Sequence, residues 1–244
     1  WLFREYDRSP FSDAQLAAMN RTFPVNALQE LARFYLDTGQ PERVLPLLGK
    51  SDTPDAQALR ARVAVGQGKD AEALELADAV LEDDVSQCDA LLARAEIHIR
   101  RRQGDSAVLD AQTAQSQCPQ LVTGWNTLAR AYQLKGNVLG IRRAYEQGTR
   151  LNQQDSQIAR DFAVWQLAER QPQRALATGR RRGRAAPAQL SGWALYGEIC
   201  RKTTDTDCAA EVQAGLAKAR TTLGIDLTPG ERPPNGLFGR LRRL

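Results

Sequence analysis

The chain has 244 residues, of which 42% are hydrophobic and 25% are charged, so it has enough apolar side chains to build a sizeable core. No apolar run reaches the roughly 18 residues that a membrane-spanning helix needs, and no signal peptide is recognisable. Because the first residue is Trp1 rather than Met, we expect a processed chain, which a cleaved signal, a lipid anchor or a membrane helix could have preceded.

The net charge of +4 conceals two halves of opposite sign. Residues 1–122 carry 13 Lys+Arg and 19 Asp+Glu, a net charge of −6, whereas residues 123–244 carry 20 and 10, a net charge of +10. The basic half suits an anionic partner, lipid headgroups or the acidic half of a second copy. The alternative is that both halves are solvated surfaces without a partner.

The first segment, residues 1–24, is predicted to contain one short helix. Ser12-Asp13-Ala14-Gln15 fits a capping box, in which a hydroxyl caps the first turn and a glutamine three residues later reaches back. Leu16 and Met19 then supply a short apolar face. We therefore predict a helix over residues 12–20 that covers one end of the repeats that follow it.

From residue 25 the sequence repeats itself. Ala, Leu, Gln and Arg are abundant, which favours helices because unbranched side chains lose little rotamer freedom there. Three unrelated residue types recur 68 residues apart, which is twice 34. The pairs are Trp125 and Trp193, Pro119 and Pro187, and Ala107 and Ala175.

The repeat resembles the motif of the tetratricopeptide-repeat (TPR) family. That motif reads Trp-x2-Leu-Gly-x2-Tyr in a first helix, followed by Ala-x3-Phe and a late Pro in and after a second helix. Trp125, Leu128, Ala129 and Tyr132 form the fullest first-helix copy. The other copies are Leu28, Leu31, Ala32 and Tyr35; Trp193, Tyr196, Gly197 and Cys200; and, for the second helix, Ala107, Ala111, Ala114 and Pro119, with Ala175, Gly179 and Pro187.

This resemblance implies an all-α fold, a right-handed superhelical solenoid of about six TPR-like helix-turn-helix hairpins over residues 25–222. The predicted hairpins are 25–54, 55–87, 88–120, 121–154, 155–188 and 189–222, the second and fifth being degenerate. We expect Gly39, Gly68, Gly104 and Gly136 to end first helices, since glycine adopts the left-handed conformation there. The 36 residues from Gly68 to Gly104 suggest a local insertion.

The last segment, residues 223–244, breaks the pattern. Residues 228–236 are rich in Pro and Gly and are predicted to be a linker. If residues 237–244 are helical, Leu237, Phe238, Leu241 and Leu244 share one face and the arginines another. This end is predicted to be either a docking or membrane-surface peptide, or a tail that caps the last hairpin or stays disordered.

The four cysteines fall into two pairs that the hairpins bring together, and none has metal-ligand spacing. Cys88 begins a first helix and Cys118 ends its second helix, so both lie at one end of the hairpin. Cys200 and Cys208 flank the turn of the last hairpin. We predict disulfides Cys88–Cys118 and Cys200–Cys208, which indicate an oxidising compartment; the alternative is four buried thiols in a cytosolic protein.

No catalytic set, phosphate loop or nucleophile elbow occurs in the sequence. The single histidine, His98, lies on a helix beside apolar residues, so we expect it to be structural or exposed. We therefore expect no enzyme activity, no cofactor and no metal. The arginine runs at 100–102, 142–143 and 180–184 lack interleaved aromatic residues for base stacking, so we do not expect nucleic acid as a partner.

The resemblance places peptides or partner helices in a concave groove that the first helices line. An arginine ladder there would suit an acidic peptide or a C-terminal carboxylate. The carboxylate clamp of the family uses Lys, Asn and Arg; the Lys is absent here, so that ligand is not carried over. The alternative is that these arginines pair with neighbouring Asp or Glu. The predicted groove residues are Asn26, Gln29, Glu30, Arg33, Arg94, Ile97, Asn126, Arg130, Arg160 and Glu198.

The sequence therefore predicts a non-enzymatic protein-interaction scaffold, periplasmic or anchored in a membrane and facing the periplasm. It would assist the assembly of a secretion, pilus or polysaccharide-export complex of the bacterial envelope. One alternative is a cytosolic TPR chaperone or adaptor for exported or regulatory proteins. Others are an enzyme whose catalytic part lies outside the chain, and head-to-tail self-association of the oppositely charged halves.

Overall fold

The computed structural model describes residues 25–37, 39–153, 155–203, 205 and 207–223, together with Ala14 and Ala18, which are helical. This part of the chain contains α-helices, one 3₁₀ turn over Pro41–Arg43 and no strand. The twelve helices are α1 (Val25–Asp37), α2 (Val44–Leu48), α3 (Pro54–Gly66), α4 (Asp70–Asp83), α5 (Cys88–Arg100), α6 (Gly104–Gln117), α7 (Val122–Leu134), α8 (Val138–Leu151), α9 (Ser156–Ala168), α10 (Pro172–Ala185), α11 (Leu190–Thr203) and α12 (Asp207–Leu223).

The all-α fold predicted from the repeats is confirmed, since the described helices follow one another as six pairs. The predicted capping box and most of the helix at 12–20 lie outside the described residues, and so does the tail after Leu223. The chain divides inside α8 into an N-terminal unit, which ends at Ala144, and a C-terminal unit, which begins at Tyr145. Each unit has its own packed helices.

Polar side chains fix the starts of several helices by accepting hydrogen bonds from backbone N–H groups that have no partner inside the helix. Thr53 accepts from the Ala56 N–H at the start of α3, and Gln87 accepts from the Ala90 N–H at the start of α5. Asp155 accepts from the N–H groups of Gln157 and Ile158 at the start of α9. These caps place the helix starts close to the repeat boundaries.

Each unit is held by helices that approach closely because one of them carries small residues. In the N-terminal unit, Ala73 and Ala77 of α4 are fully buried against α3 and α5. In the C-terminal unit, a Cβ added to Gly183 of α10 would lie 2.9 Å from the Trp193 ring. In both units, small residues of a second helix therefore pack closely against a first helix.

The 68-residue recurrence of Trp and Pro has one physical cause. The indole N–H of Trp125 donates to the Pro119 carbonyl at 2.8 Å, and that of Trp193 donates to the Pro187 carbonyl at 3.0 Å. Each proline lies between two hairpins and each tryptophan lies one turn into the next first helix. The two residues recur together because each pair satisfies a partly buried indole donor at a hairpin junction.

The turns inside four of the hairpins recur every 34 residues, although the residue in the left-handed conformation is not always glycine. Positive φ angles occur at Gly68 (77°), Arg102 (57°), Gly136 (66°) and Arg170 (57°), and these positions are 34 residues apart. The expectation that Gly104 ends a first helix is therefore wrong: Arg102 takes the left-handed position, and Gly104 begins α6. No insertion is needed between Gly68 and this turn.

Because a left-handed conformation costs an L-residue about 1–2 kcal/mol, Arg102→Gly is expected to raise the free energy of unfolding. The greater freedom of glycine in the unfolded chain offsets part of the gain, so we expect a net increase of about 0.5–1 kcal/mol. The matched control is Arg101→Gly, since Arg101 has a φ of −80° and should lose stability instead. Urea unfolding of both variants makes the comparison, and equal changes would contradict the assignment.

All four cysteines form disulfides in the structure. Cys88 at the start of α5 is bonded to Cys118, which follows α6, with their Cα atoms 6.4 Å apart. Cys200 of α11 is bonded to Cys208 of α12, with a Cα–Cα distance of 6.1 Å. Both pairs are the ones that the hairpin arrangement predicts, and each fastens the two helices of a single hairpin.

Candidate functional site: the first-helix face

In the N-terminal unit the first helices of the four hairpins, α1, α3, α5 and α7, share one polar face. Contacts join α1 to α3, α3 to α5, and α5 to α7. We call this surface the first-helix face; it is formed by Gln29, Arg33, Asp37, Asp55, Arg62, Asp89, Glu96, Thr123, Thr127 and Arg130. Charged or polar groups on it bridge successive helices.

Asp89 is the centre of this face, and its side chain has no exposed surface. Its carboxylate accepts a hydrogen bond from Arg33 Nε at 2.9 Å and from Arg62 Nη1 at 2.8 Å. Arg62 also pairs with Asp37 at 3.3 Å. One buried carboxylate therefore connects three hairpins, since Arg33 lies on α1, Arg62 on α3 and Asp89 on α5.

The electrostatics of the cluster favour the charged forms of its two arginines. Burial opposes the positive charge of Arg62, but the attraction of Asp89 and Asp37 outweighs it and raises the pKa of Arg62 above its usual range. Arg33 behaves in the same way, because burial is outweighed by Asp89 and Glu30 and its pKa is raised. Two guanidinium groups thus compensate the buried charge of Asp89, as a buried carboxylate requires.

Two further bridges extend the face on either side of Asp89. Asp55 accepts hydrogen bonds from the side-chain amides of Gln29 at 2.8 Å and Gln87 at 2.9 Å. Glu96 accepts from Thr127 Oγ1 at 2.9 Å and pairs with Arg130 at 2.6 Å. Neighbouring first helices are therefore linked by at least one polar side-chain contact at each step.

A hydrogen bond between Thr123 and Asp37 shows that the first-helix face is concave. Thr123 lies at the start of α7 in the fourth hairpin, and Asp37 ends α1 in the first. Helices at the two ends of a row of four touch only if the row bends toward the face that they share. The inner surface of the N-terminal unit is therefore narrow at this point and is crossed by side chains of the protein itself.

The predicted groove residues Gln29, Arg33 and Arg130 lie on this face, but each is already bonded to a neighbour. Glu30 has a 67% exposed side chain and pairs with Arg33. Asn126 has a side-chain Oδ1 that is buried and without a hydrogen-bond partner. The side chain of Asn26 is outside the described part of the structure. Peptide binding by these residues stays a prediction.

Two residues were predicted on the wrong side of α5. Ile97 has no exposed surface and therefore cannot line a groove. Arg94 points to the second helices, where it pairs with Asp110 of α6 at 2.8 Å and Asp78 of α4 at 3.0 Å. The repeat register explains both errors. Arg94 lies 34 residues before Leu128 and Ile97 lies 34 residues before Ala131, and both of these later residues are in the core.

The same register identifies residues that the sequence analysis missed. Counting back from Arg130 in steps of 34 gives Glu96 and then Arg62, and both lie on the first-helix face. Counting back 34 from Thr123 gives Asp89, the buried centre of the cluster. Strict use of the 34-residue interval would have found these residues, whereas the predicted groove set contained Arg94, which lies two residues before Glu96.

The C-terminal unit has a smaller polar contact of the same type. Arg160 of α9 lies 3.5 Å from Glu198 of α11, and Lys202 lies 3.3 Å from the same carboxylate. Glu198 was predicted to face a groove, yet only 7% of the residue is exposed. Its buried carboxylate links two first helices and leaves little surface for a ligand.

The four arginines predicted to form a free ladder are all paired with acidic residues, so an acidic ligand must compete with Asp89, Glu96 or Glu198. Within the described residues no group of His, Cys, Asp and Glu has a metal-binding arrangement. No helix in that part of the chain is long and apolar enough to cross a membrane.

Comparison with solved structures shows TPR folds. A TPR protein of the thermophile Thermus thermophilus, TTC0263, is 16% identical, with a TM-score of 0.53 over 77% of this chain and 98% of its own. Yeast Tom70 is 14% identical, with a TM-score of 0.59 over 90% of this chain and 51% of its own. Pseudomonas aeruginosa pilF is 17% identical, with a TM-score of 0.52 over 86% of this chain and 99% of its own.

These identities are low enough that the three structures show a shared fold and nothing further. No curated protein matches the sequence. One family model, described as ChAPs (Chs5p-Arf1p-binding proteins), matches residues 6–140. Because this match covers more than half of the 244 residues, the chain belongs to the ChAPs family, and its helical hairpins have the TPR fold.

Proposed function

We propose that the protein is a non-enzymatic scaffold that binds a peptide or helix of a partner protein on the concave first-helix face. The observation that carries this proposal is the row of four first helices, α1, α3, α5 and α7, which contact one another in order and share one face. The Thr123–Asp37 contact makes that face concave. Repeat folds bind their partners on such surfaces. The exposed fringe of the face, which includes Glu30 and Arg130, would make the first contacts.

The proposed ligand is a peptide that contains both acidic and uncharged polar side chains. An acidic side chain can share Arg130, whose side chain is 48% exposed. It cannot displace Asp89 from Arg33 and Arg62, because the side chain of Asp89 is fully buried. Charge-assisted bonds to a guanidinium are the stronger class of hydrogen bond, whereas the paired Asp and Glu of the face would repel a purely acidic peptide. A mixed sequence therefore fits the face better than the uniformly acidic peptide predicted from the arginines alone.

The proposed location is an oxidising compartment, the periplasm of a bacterial-type envelope. Two disulfides in one chain support it, because disulfides persist there and are rare in the cytosol. In that setting the scaffold would assist the assembly of a secretion, pilus or polysaccharide-export complex. A membrane contact would come from the basic tail, residues 237–244.

A second candidate follows from the family. ChAPs proteins are named for binding Chs5p and Arf1p, so this chain would bind proteins of that kind in the cytosol, as an adaptor. The two candidates differ in the state of the cysteines. Alkylation of thiols in intact cells, followed by mass measurement, should find no free cysteine in the first case and four in the second.

Site-specific photo-crosslinking tests the binding face. A photoreactive amino acid is placed at Gln133, an exposed residue one turn beyond Arg130 on α7, in the full chain expressed in its own cell. We expect a covalent adduct with a single partner protein. Matched control positions are Leu109 on α6 and Arg143 on α8, which are exposed on second helices. Adducts from these control positions and none from Gln133 would contradict the proposal.

A further inference from the structure

We propose that the protein assembles with copies of itself, by docking the acidic outer face of α4 in one copy onto the arginine-rich outer face of α10 in the next. Both are second helices of their hairpins, and their outer faces are separate from the first-helix face. The occupant of each face is therefore a second copy of this chain. The inference goes beyond the proposed binding of a partner protein.

The outer face of α4 is acidic throughout. The helix buries Ala73, Ala77, Val80 and Leu81 and exposes acidic residues on the opposite side. From Asp70 to Asp84 the sequence has seven acidic residues and no basic residue. The exposed ones are Glu72, Glu75, Asp78, Glu82, Asp83 and Asp84.

The outer face of α10 has the opposite charge. This helix buries Ala175, Leu176 and Gly179 among others, and from Pro172 to Ala185 it has five arginines and no acidic residue. One arginine, Arg182, is buried. The exposed ones are Arg174, Arg180, Arg181 and Arg184.

The two faces are matched position by position. Glu72 and Arg174 are 102 residues apart, which is three repeats of 34, and the same interval separates Asp78 from Arg180 and Glu82 from Arg184. Equivalent positions on two helices of equal length thus carry charges of opposite sign. When two such helices lie antiparallel, acidic and basic side chains meet along most of their length.

Several of these charged side chains form no ion pair within the described part of their own unit. Glu75, Glu82 and Asp83 of α4 and Arg181 of α10 form no ion pair among the described residues. Others are partly neutralised: Glu72 pairs with Lys69, Asp78 pairs with Arg94, and Arg180 and Arg184 pair with Glu211. The unpaired set leaves a net charge on each face that would attract the other face over about one Debye length.

Because the two docking faces differ, the contact is head-to-tail. Such an interface repeats from copy to copy and produces chains rather than a closed dimer unless the rotation closes a ring. Its strength depends on salt, since exposed charges are screened. The arrangement therefore predicts reversible oligomers at low ionic strength.

Sedimentation velocity of the full chain tests the proposal. We expect the average mass to rise with concentration at about 0.01 M salt, where the screening length is about 30 Å, and to return to the 27.0 kDa monomer at about 1 M salt. Variant A (E75Q/E82Q/D83N) neutralises the acidic face and variant B (R174Q/R181Q) neutralises the basic face, so each should stay monomeric at low salt. Mixed together, they should form a 1:1 complex and stop there, because A keeps its basic face and B its acidic face.

The matched control for variant A is E42Q/E146Q/E169Q, which makes the same change in net charge at exposed residues of other elements. It should self-associate like the natural sequence. Circular dichroism of each variant verifies that it is folded. A monomeric natural sequence at low salt, or a mixture of A and B that stays monomeric, would overturn the proposal. So would binding of the natural sequence to anionic phosphatidylglycerol vesicles that variant B loses, if no oligomer forms.

Discussion

Asp89→Ala is expected to lower the free energy of unfolding by about 3–5 kcal/mol, the loss typical when one member of a buried ion cluster is removed. The substitution leaves the guanidinium groups of Arg33 and Arg62 facing each other without the carboxylate that both contact at 2.8–2.9 Å. Glu30 and Asp37 remain as partners, but neither bridges the two arginines. Urea unfolding followed by circular dichroism measures the change.

The matched control is Asp83→Ala, which removes an exposed carboxylate from the end of α4 and should change stability by about 0.5 kcal/mol or less. A triple variant, Arg33→Met with Arg62→Met and Asp89→Leu, removes the charges together. It should recover most of the loss, because the cost of Asp89→Ala comes mainly from uncompensated charge. If Asp89→Ala behaves like the control, the ion cluster is not what joins the three hairpins.

Removing the Cys88–Cys118 disulfide is expected to have the second largest effect. The bridge closes a loop with a sequence separation of 30 residues, so Cys88→Ala with Cys118→Ala should cost about 3.5 kcal/mol by loop entropy. It also frees the start of α5, where Asp89 follows Cys88 directly. Urea unfolding without reductant measures the loss.

The second disulfide provides the comparison. Cys200→Ala with Cys208→Ala opens a loop with a separation of only 8 residues, so the expected cost is about 2.5 kcal/mol. The natural sequence treated with reductant should lose the sum of both, within the additivity expected for distant sites. A natural protein that is insensitive to reductant and contains four free thiols would contradict both disulfides and favour the cytosolic candidate.

The sequence predicts the fold well because the 34-residue recurrence reflects packing. The Trp125–Pro119 bond and the small residues of the second helices are local requirements, so they reappear in the same register in each copy. The cysteine pairs follow from the same geometry. Turn residues were harder to predict, because Arg102 adopts a conformation for which glycine is the usual choice.

The site was predicted less well, because it depends on contacts between hairpins. The sequence places Arg33 and Arg130 on first helices, but it does not show that Asp89 or Glu96 neutralises them. On α5 the predicted groove position was two residues too early, so the prediction named Arg94 instead of Glu96. The acidic partners of these arginines lie 34 or 56 residues away in the sequence. A local sequence pattern therefore does not show which arginines are free to bind a ligand.

The contacts of Asp89 and Asp37 also distinguish the N-terminal unit from a simple repeat array. In a simple repeat array each hairpin touches only its neighbours, so the ends unravel first and the middle later. Here Arg33 reaches past the second hairpin to Asp89 in the third, and Asp37 reaches Thr123 in the fourth. The first hairpin is therefore tied to every other one in the unit, and opening it disturbs all four at once. We therefore expect the four hairpins to unfold as one cooperative unit rather than one after another from the ends.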